Sequence, residues 1–322
     1  MNNLANFVQK ELPSINQFLE NLASGLDPTI APVAHHVLMA GGKRLRPLLT
    51  ILSAGVAGYH NDDIYPLACS IELLHSATLL HDDILDGASL RRGKKTAHEV
   101  FGLTPSILVG DALLALANRL VADYGKPRLT ACLSEALLRT ATGEIKEIAH
   151  IRKTDLSHDD YLDIITGKTA YLIQAACQSG ALIADAPADM EEALAEFGLN
   201  LGITFQLVDD ALDYTSNEEI SGKPSGGDLK EGKLTLPFIS YLESLPEKQR
   251  LQVTQDFETD ALDNETIATL VSAVVEGGFA DTTRRIAKTY LDKAVSALSR
   301  LPDVPERELM RLAMQTMLDR EK

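Results

Sequence analysis

The stretch Ile71-Glu-Leu-Leu-His-Ser-Ala-Thr-Leu-Leu-His-Asp-Asp-Ile-Leu-Asp86 decides how the rest of the chain is read. Residues 71–80 are mostly apolar with helical rather than alternating texture, and the run closes on D-D-x-x-D. An echo lies at Gln206-Leu-Val-Asp-Asp-Ala-Leu-Asp213, which also closes an apolar run, 199–208. The same periodicity extends outward from both. Leu113, Leu114, Leu116, Ala117, Leu120 and Val121 fall at i, i+3, i+4, i+7 spacing, and similar stripes cover residues 133–148, 161–183, 190–212 and 286–301. Strand patterns bounded by turn pairs are nearly absent. Helix starts are expected at Ser14 with Gln17 and at Ser157 with Asp160, both in capping-box spacing. Breaks at 26–28, 58–66, 125–127, 185–187 and 221–227 are too short to link domains. The expectation is an all-α protein, a single domain over residues 1–322, with some helices enclosed.

The 322 residues carry 46 Asp and Glu against 30 Lys and Arg, a formal net charge of −16. That balance argues against nucleic acid as a partner and against docking on an anionic membrane through a basic patch. At 45% hydrophobic residues the chain has ample side chain for a core, which excludes disorder. Cys69, Cys132 and Cys177 are odd in number and widely spaced, so neither a disulfide framework nor a zinc knuckle is expected. No stretch of 18 or more wholly apolar residues occurs and the N-terminus lacks a signal pattern. A soluble, cytoplasmic protein without an integral membrane segment is expected.

The spacing of the acidic clusters carries chemistry. On a helix, Asp82 and Asp86 share one face with Asp83 beside them, and Asp209, Asp213 and Asp210 repeat the arrangement. Like charges so placed repel, and a helix C-terminus disfavours them further, so capping does not account for them. Carboxylates without His or Cys at ligand spacing point to Mg²⁺, which keeps waters and takes one or two carboxylates plus phosphate oxygens. A third D-D-x-x-D, at Asp159, Asp160 and Asp163, begins a helix just after Ser157, where acidic residues are ordinary caps. Basic residues complement the triads. Lys43, Arg44 and Arg46 lie on a turn entering a helix, suited to phosphate oxygens or simply a basic surface turn. Arg91, Arg92 and Lys94 follow the first triad closely, and pairing with its acids is the plainer alternative. Residues 222–233, GKPSGGDLKEGK, read as a flexible glycine loop with lysines at both ends, a lid or an ordinary surface loop.

Taken together, GGKRLRP (41–47), LLHSATLLHDDILDGASLRRGK (73–94), GD (110–111), GKTA (167–170), FQLVDDALDY (205–214) and GKPSGGDLKEGKLTLP (222–237) resemble the trans-isoprenyl diphosphate synthase family, in the family's order. LPDVPER (301–307) is similar to the octaprenyl type. The resemblance implies a helical bundle of the isoprenoid synthase type with an enclosed cavity, a homodimer, and elongation of an allylic diphosphate by isopentenyl diphosphate. It implies that Lys43, Arg46, His75 and Arg92 bind isopentenyl diphosphate. Asp82, Asp83, Asp86, Asp209, Asp210 and Asp213 would hold Mg²⁺ on the allylic diphosphate, gripped also by Arg91, Lys168, Lys223 and Lys233. Thr169 and Gln206 would face the reacting carbon. Gly87 departs from relatives that carry an acidic or amide residue there.

A growing tail would run down the helix that ends at Asp82, past Thr78, Ala77, Leu74 and Ile71. Ala77 and Thr78 are small, no aromatic blocks the first turn, and the two-residue insertion of bacterial short-chain farnesyl synthases is missing. A long product near octaprenyl is therefore expected, with farnesyl diphosphate as primer; a farnesyl or geranylgeranyl product is the alternative. A class I terpene synthase is disfavoured because cyclisation needs no second diphosphate pocket, and because 5% aromatic residues with no Trp offer few ring faces to a cation. A non-catalytic partner subunit is disfavoured by two intact triads. A helical Ca²⁺-binding protein is disfavoured by the glycine–lysine loop and the basic pairs.

Overall fold

A computed structural model describes residues 2–215 and 225–318. In chain order its helices are α1 (Asn2–Ser24), α2 (Ala31–Leu38), α3 (Leu45–Val56), α4 (Ile64–Leu85), α5 (Ala97–Phe101), α6 (Leu103–Ala122), α7 (Pro127–Ala149), α8 (His158–Ile165), α9 (Tyr171–Ile183) and α10 (Ala188–Thr215). After these come α11 (Gly227–Glu231), α12 (Leu236–Ser244), α13 (Glu247–Glu258), α14 (Asn264–Glu276), α15 (Phe279–Ser299) and α16 (Pro305–Leu318). The all-α expectation holds. The chain packs as two compact units, one of Met1–Leu137, Leu172–Gly198 and Ala297–Ala313, the other of Leu138–Tyr171, Leu199–Ser296 and Met314–Lys322.

In the first unit α4 is the buried helix. Leu67, Ile71, Leu73, Leu74, Ala77 and Leu80 are all almost inaccessible, and its most extensive partner is α6. Gly110 of α6 permits that approach, because a Cβ there would lie 2.3 Å from the His81 ring. Helix α1 corrects the expected start at Ser14: it runs through Pro13 without a break, and Gln17 bonds Asn21 rather than closing a cap. Glu11, Ile15, Leu19 and Ala23, four residues apart, are all buried. Packing of that one continuous face outweighs the single backbone bond that proline removes.

A second departure is a small hairpin, β1 (Leu90–Arg91) against β2 (Lys94–Lys95), antiparallel with Arg91 opposite Lys94. It turns on Arg92 and Gly93, both left-handed at φ 51° and 74°, as a two-residue hairpin loop requires. Two-residue strands are too short to leave an alternating pattern in sequence. Helix α6, carrying Asp111 and Arg119, is long and apolar enough to cross a membrane by length and composition, with mean hydropathy 1.4. Leu103, Ile107 and Leu108 on it are exposed.

In the second unit the core gathers Tyr161, Ile165, Leu207, Leu229, Phe238, Phe257 and Val274. Helix α8 starts where expected: Ser157 Oγ accepts from the Asp160 amide at 3.1 Å and donates to the Asp160 carboxylate at 2.6 Å. The third acidic motif is accordingly a helix cap, with Asp163 paired to Lys146. Between α8 and α9, Thr166–Ala170 forms one π-helical turn.

Candidate active site

In the first unit the acidic triad occupies the last turns of α4, and its members differ. Asp83 is buried, 6% exposed, and accepts from Arg91 Nε at 2.6 Å. Asp82 is half-buried and Asp86 exposed. Burial lifts the Asp83 carboxyl above its ordinary range, against the opposing pull of Arg91. Arg91, expected on the allylic diphosphate, pairs here with the middle carboxylate, the plainer alternative that the sequence offered.

The hairpin is tied to the turn at 41–44. Arg92 donates to the Gly41 carbonyl, and Gly42, at φ 148°, leaves no room for a Cβ, which would sit 2.8 Å from Arg92 Nη1. Arg44 closes the turn in a left-handed conformation, φ 49°. Its buried guanidinium donates to Glu72 Oε1 at 2.8 Å, to Asn16 Oδ1 at 3.1 Å and to the Leu38 carbonyl. Arg46 Nε is buried without a hydrogen-bond partner, and burial brings the guanidinium down to about 10, with Glu72 opposing. His75 is pushed well below the ordinary imidazole range by burial and by Arg46, Arg92, Arg91 and Arg44 around it, so it is neutral. Arg44, Glu72, His75, Asp83, Arg91 and Arg92 line a pocket of about 510 Å³ including its mouth. Clustered guanidinium groups suit an anion rich in oxygens; Arg46, which has the unmet donor, is not among the lining residues. Lys43 is exposed, outside that lining.

In the second unit one hydrogen-bond chain joins four expected and unexpected residues. Thr169 donates to Gln206 Oε1 at 2.8 Å, Gln206 Nε2 donates to Asp210 Oδ1 at 2.7 Å, and the Tyr161 hydroxyl donates to Asp210 Oδ2. Asp210 is 5% exposed; burial pushes its carboxyl up to about 7, the Tyr161 and Gln206 bonds oppose this, and Asp209 adds to it. Asp213 accepts from the Asp228 amide at 3.1 Å, while Asp209 is exposed. Lys168 sits on the π turn and pairs with Glu144 at 3.1 Å and with Glu147. The turn can press against α7 because Gly143 and Gly167 meet: a Cβ on Gly143 would lie 2.3 Å from the Lys168 amide nitrogen. Lys233 pairs with Glu231 at 2.8 Å. Lys168, Gln206, Asp210, Asp228 and Lys233 line a second pocket, about 610 Å³ with its mouth. Lys223 lies outside the described residues.

The residues suit a hard divalent cation. In both triads the middle carboxylate is held by protein donors, and the outer members are the more exposed. Burial, then Asp210 and Asp213, push Asp228 well above the carboxylate range, a field that a cation relieves. Among the described residues no three His, Cys, Asp or Glu converge at ligand spacing. Of the chain-length candidates, Ala77 and Leu74 are buried, and Thr78 is half-buried, donating to the His75 carbonyl at 2.9 Å.

The sequence reading passed over Glu72, Tyr161, Glu144, Glu147 and Asp228. Glu72 alone left a signal, a carboxylate inside the apolar run 64–80.

An all-α protein with an arginine-rich anion pocket and two carboxylate triads is equipped for diphosphate chemistry. Residues 27–274 match the polyprenyl synthetase family, and the chain belongs to it. It is 35% identical to the octaprenyl diphosphate synthase of Escherichia coli over 292 residues, 91% of this chain and 90% of that protein. It is also 35% identical to heptaprenyl diphosphate synthase component 2 of Geobacillus stearothermophilus, over 95% of this chain and 94% of that one. A decaprenyl diphosphate synthase from Rhodobacter capsulatus superposes with a TM-score of 0.93 at 34% identity, covering 100% and 99% of the two chains. A Caulobacter crescentus polyprenyl synthase complexed with calcium and isoprenyl diphosphate gives 0.93 at 35% identity, covering 100% and 98%. The protein is a prenyltransferase, similar over its length to long-chain polyprenyl diphosphate synthases.

Proposed function

We propose that this prenyltransferase condenses isopentenyl diphosphate head-to-tail onto an allylic diphosphate, farnesyl diphosphate being the favoured primer, and repeats the step to an all-trans product near octaprenyl. The observation that carries the reading is a pair of differently built phosphate-competent pockets. One is dominated by arginines around neutral His75; the other combines carboxylates with Lys168 and Lys233. Joining two diphosphates needs two such pockets, whereas cyclising one diphosphate needs one.

In this reading Lys43, Arg46, His75 and Arg92 hold isopentenyl diphosphate. Asp82, Asp86, Asp209 and Asp213 offer oxygens to Mg²⁺ on the allylic diphosphate, while Asp83 and Asp210 hold the triads in place. Bound Mg²⁺ neutralises charge on the leaving diphosphate. Lys168 and Lys233, with Lys223 and Arg91, add to that neutralisation. The allylic C–O bond breaks, the isopentenyl double bond forms the new C–C bond, and a proton is lost to the departing diphosphate. Thr169 and Gln206 are polar, weakly nucleophilic and locked in one hydrogen-bond chain, so they stabilise positive charge without capturing it.

The tail is assigned to the path along α4 past Thr78, Ala77, Leu74 and Ile71. A helix of that length spans about 33 Å, room for many isoprene units. A cytoplasmic homodimer joined through the exposed apolar residues of α6 completes the proposal. The test is incorporation of labelled isopentenyl diphosphate onto farnesyl diphosphate, with products sized. A ladder ending near eight isoprene units is expected; a cyclic hydrocarbon without label contradicts the reading.

A further inference from the structure

We propose that Arg152 is a positioning residue for the allylic diphosphate: it clamps the segment 226–233, which presents Asp228 and Lys233 to the second pocket. This inference rests on the function proposed above and adds a residue to it.

The segment has little regular structure to hold it. Helix α11 has five residues, flanked by left-handed Gly226 and Gly232 at φ 82° and 76°. One end is fixed to the acidic triad, since the Gly226 amide donates to the Asp213 carbonyl at 2.9 Å and the Asp228 amide to the Asp213 carboxylate at 3.1 Å. Leu229 is fully buried in the core. At the other end Arg152 reaches the segment from outside it. The Arg152 amide donates to the Gly232 carbonyl at 2.8 Å, and Arg152 Nη2 donates to the Lys230 carbonyl at 3.2 Å.

Three further observations show that Arg152 is built for this contact. It is in the left-handed region at φ 56°, a conformation that costs a non-glycine residue free energy and persists where its surroundings fix it. Its guanidinium also takes the Phe257 carbonyl at 3.3 Å and Asp260 Oδ1 at 2.6 Å, so the clamp is anchored to the end of α13. Gly232 accommodates the arginine stem, because a Cβ there would lie 2.6 Å from Arg152 Cγ. A cation at the carbonyl end of a short helix satisfies groups that the helix leaves unbonded. Lys233 follows Gly232 directly, and its amide returns to the Asp228 carbonyl at 2.8 Å. Displacement at Gly232 therefore moves both residues that line the pocket.

The test is steady-state kinetics of the full chain, with KM measured separately for farnesyl and isopentenyl diphosphate. Variants are Arg152→Ala, Arg152→Lys, Lys233→Ala and the double variant, with a thermal midpoint for each. Losing the guanidinium's bond to the Lys230 carbonyl and its anchors at Phe257 and Asp260, while the Arg152 amide still holds Gly232, should raise the allylic KM by about tenfold in Arg152→Ala, leaving the isopentenyl KM within twofold. Arg152→Lys should recover part of the loss. The double variant should have the allylic KM of Lys233→Ala, because Arg152 acts through that segment. A lowered midpoint with both KM values unchanged, equal rises in both, or additive losses in the double variant would each overturn the proposal. If Lys233→Ala itself leaves the allylic KM unchanged, the assignment of this pocket fails and the positioning role fails with it; if only Arg152→Ala is silent, the pocket stands and the clamp falls.

Discussion

Asp83 is held by Arg91, and Asp210 by Tyr161 and Gln206, so a middle aspartate in each triad is spoken for by the protein before any ligand arrives. In the proposed function the outer aspartates carry the metal. Asp82→Ala or Asp209→Ala is expected to abolish turnover while thermal unfolding stays within a degree or two, checked by kinetics beside calorimetry. Tyr161→Phe should behave differently. It removes a hydrogen bond to a buried carboxylate, so about 2 kcal/mol of stability should go, together with an activity loss smaller than that of Asp209→Ala. Denaturant unfolding of the two variants side by side separates ligand from brace. The triads were legible in the sequence because i, i+4 spacing and a place at a helix end are local facts. Tyr161 was not, since its partner is 49 residues away, and nothing around a single tyrosine distinguishes a brace from ordinary core. Arg44 and Glu72 are similar: the sequence showed a basic turn and a lone acid in an apolar run, and only the fold pairs them.

At the scale of elements, the π turn at Thr166–Ala170 and its contact with α7 set Lys168 and Thr169. Gly143→Ala would place a methyl 2.3 Å from the Lys168 amide nitrogen, where backbone rather than a flexible side chain must yield. Overpacking of this kind costs about 1–3 kcal/mol, and the turn should shift with it. A lower unfolding midpoint with reduced kcat is expected; an active, fully stable variant would show that the crossing does not set the catalytic turn. The helices themselves were readable from apolar period alone, as the wide stripes at 161–183 and 190–212 show. Helix α1 was misread because a proline beside a capping-box pair is a strong local stop signal, whereas the buried face through Glu11, Ile15, Leu19 and Ala23 acts over the whole helix. The hairpin at 90–95 was unreadable because its strands are too short to alternate.

For the whole molecule, two pockets and two triads suit the joining of diphosphates, and the proposed function assigns the product a path along the buried run of α4. Ala77→Phe should shorten the product ladder without loss of the first condensation, since residue 77 is a small buried position one turn from the acidic segment; an unchanged ladder, read by chromatography of the dephosphorylated products, would reject the path. The exposed Leu103, Ile107 and Leu108 of α6 should be covered in a homodimer, so Leu108→Glu is expected to sediment as a smaller species than the parent chain. The central claim is that this chain, by itself, condenses two diphosphates with a divalent metal. The most direct measurement supplies the purified chain with labelled isopentenyl diphosphate, farnesyl diphosphate and Mg²⁺, with and without EDTA. The account predicts label in a long polyprenyl diphosphate that EDTA abolishes; no incorporation by the folded chain, or incorporation indifferent to EDTA, would contradict it.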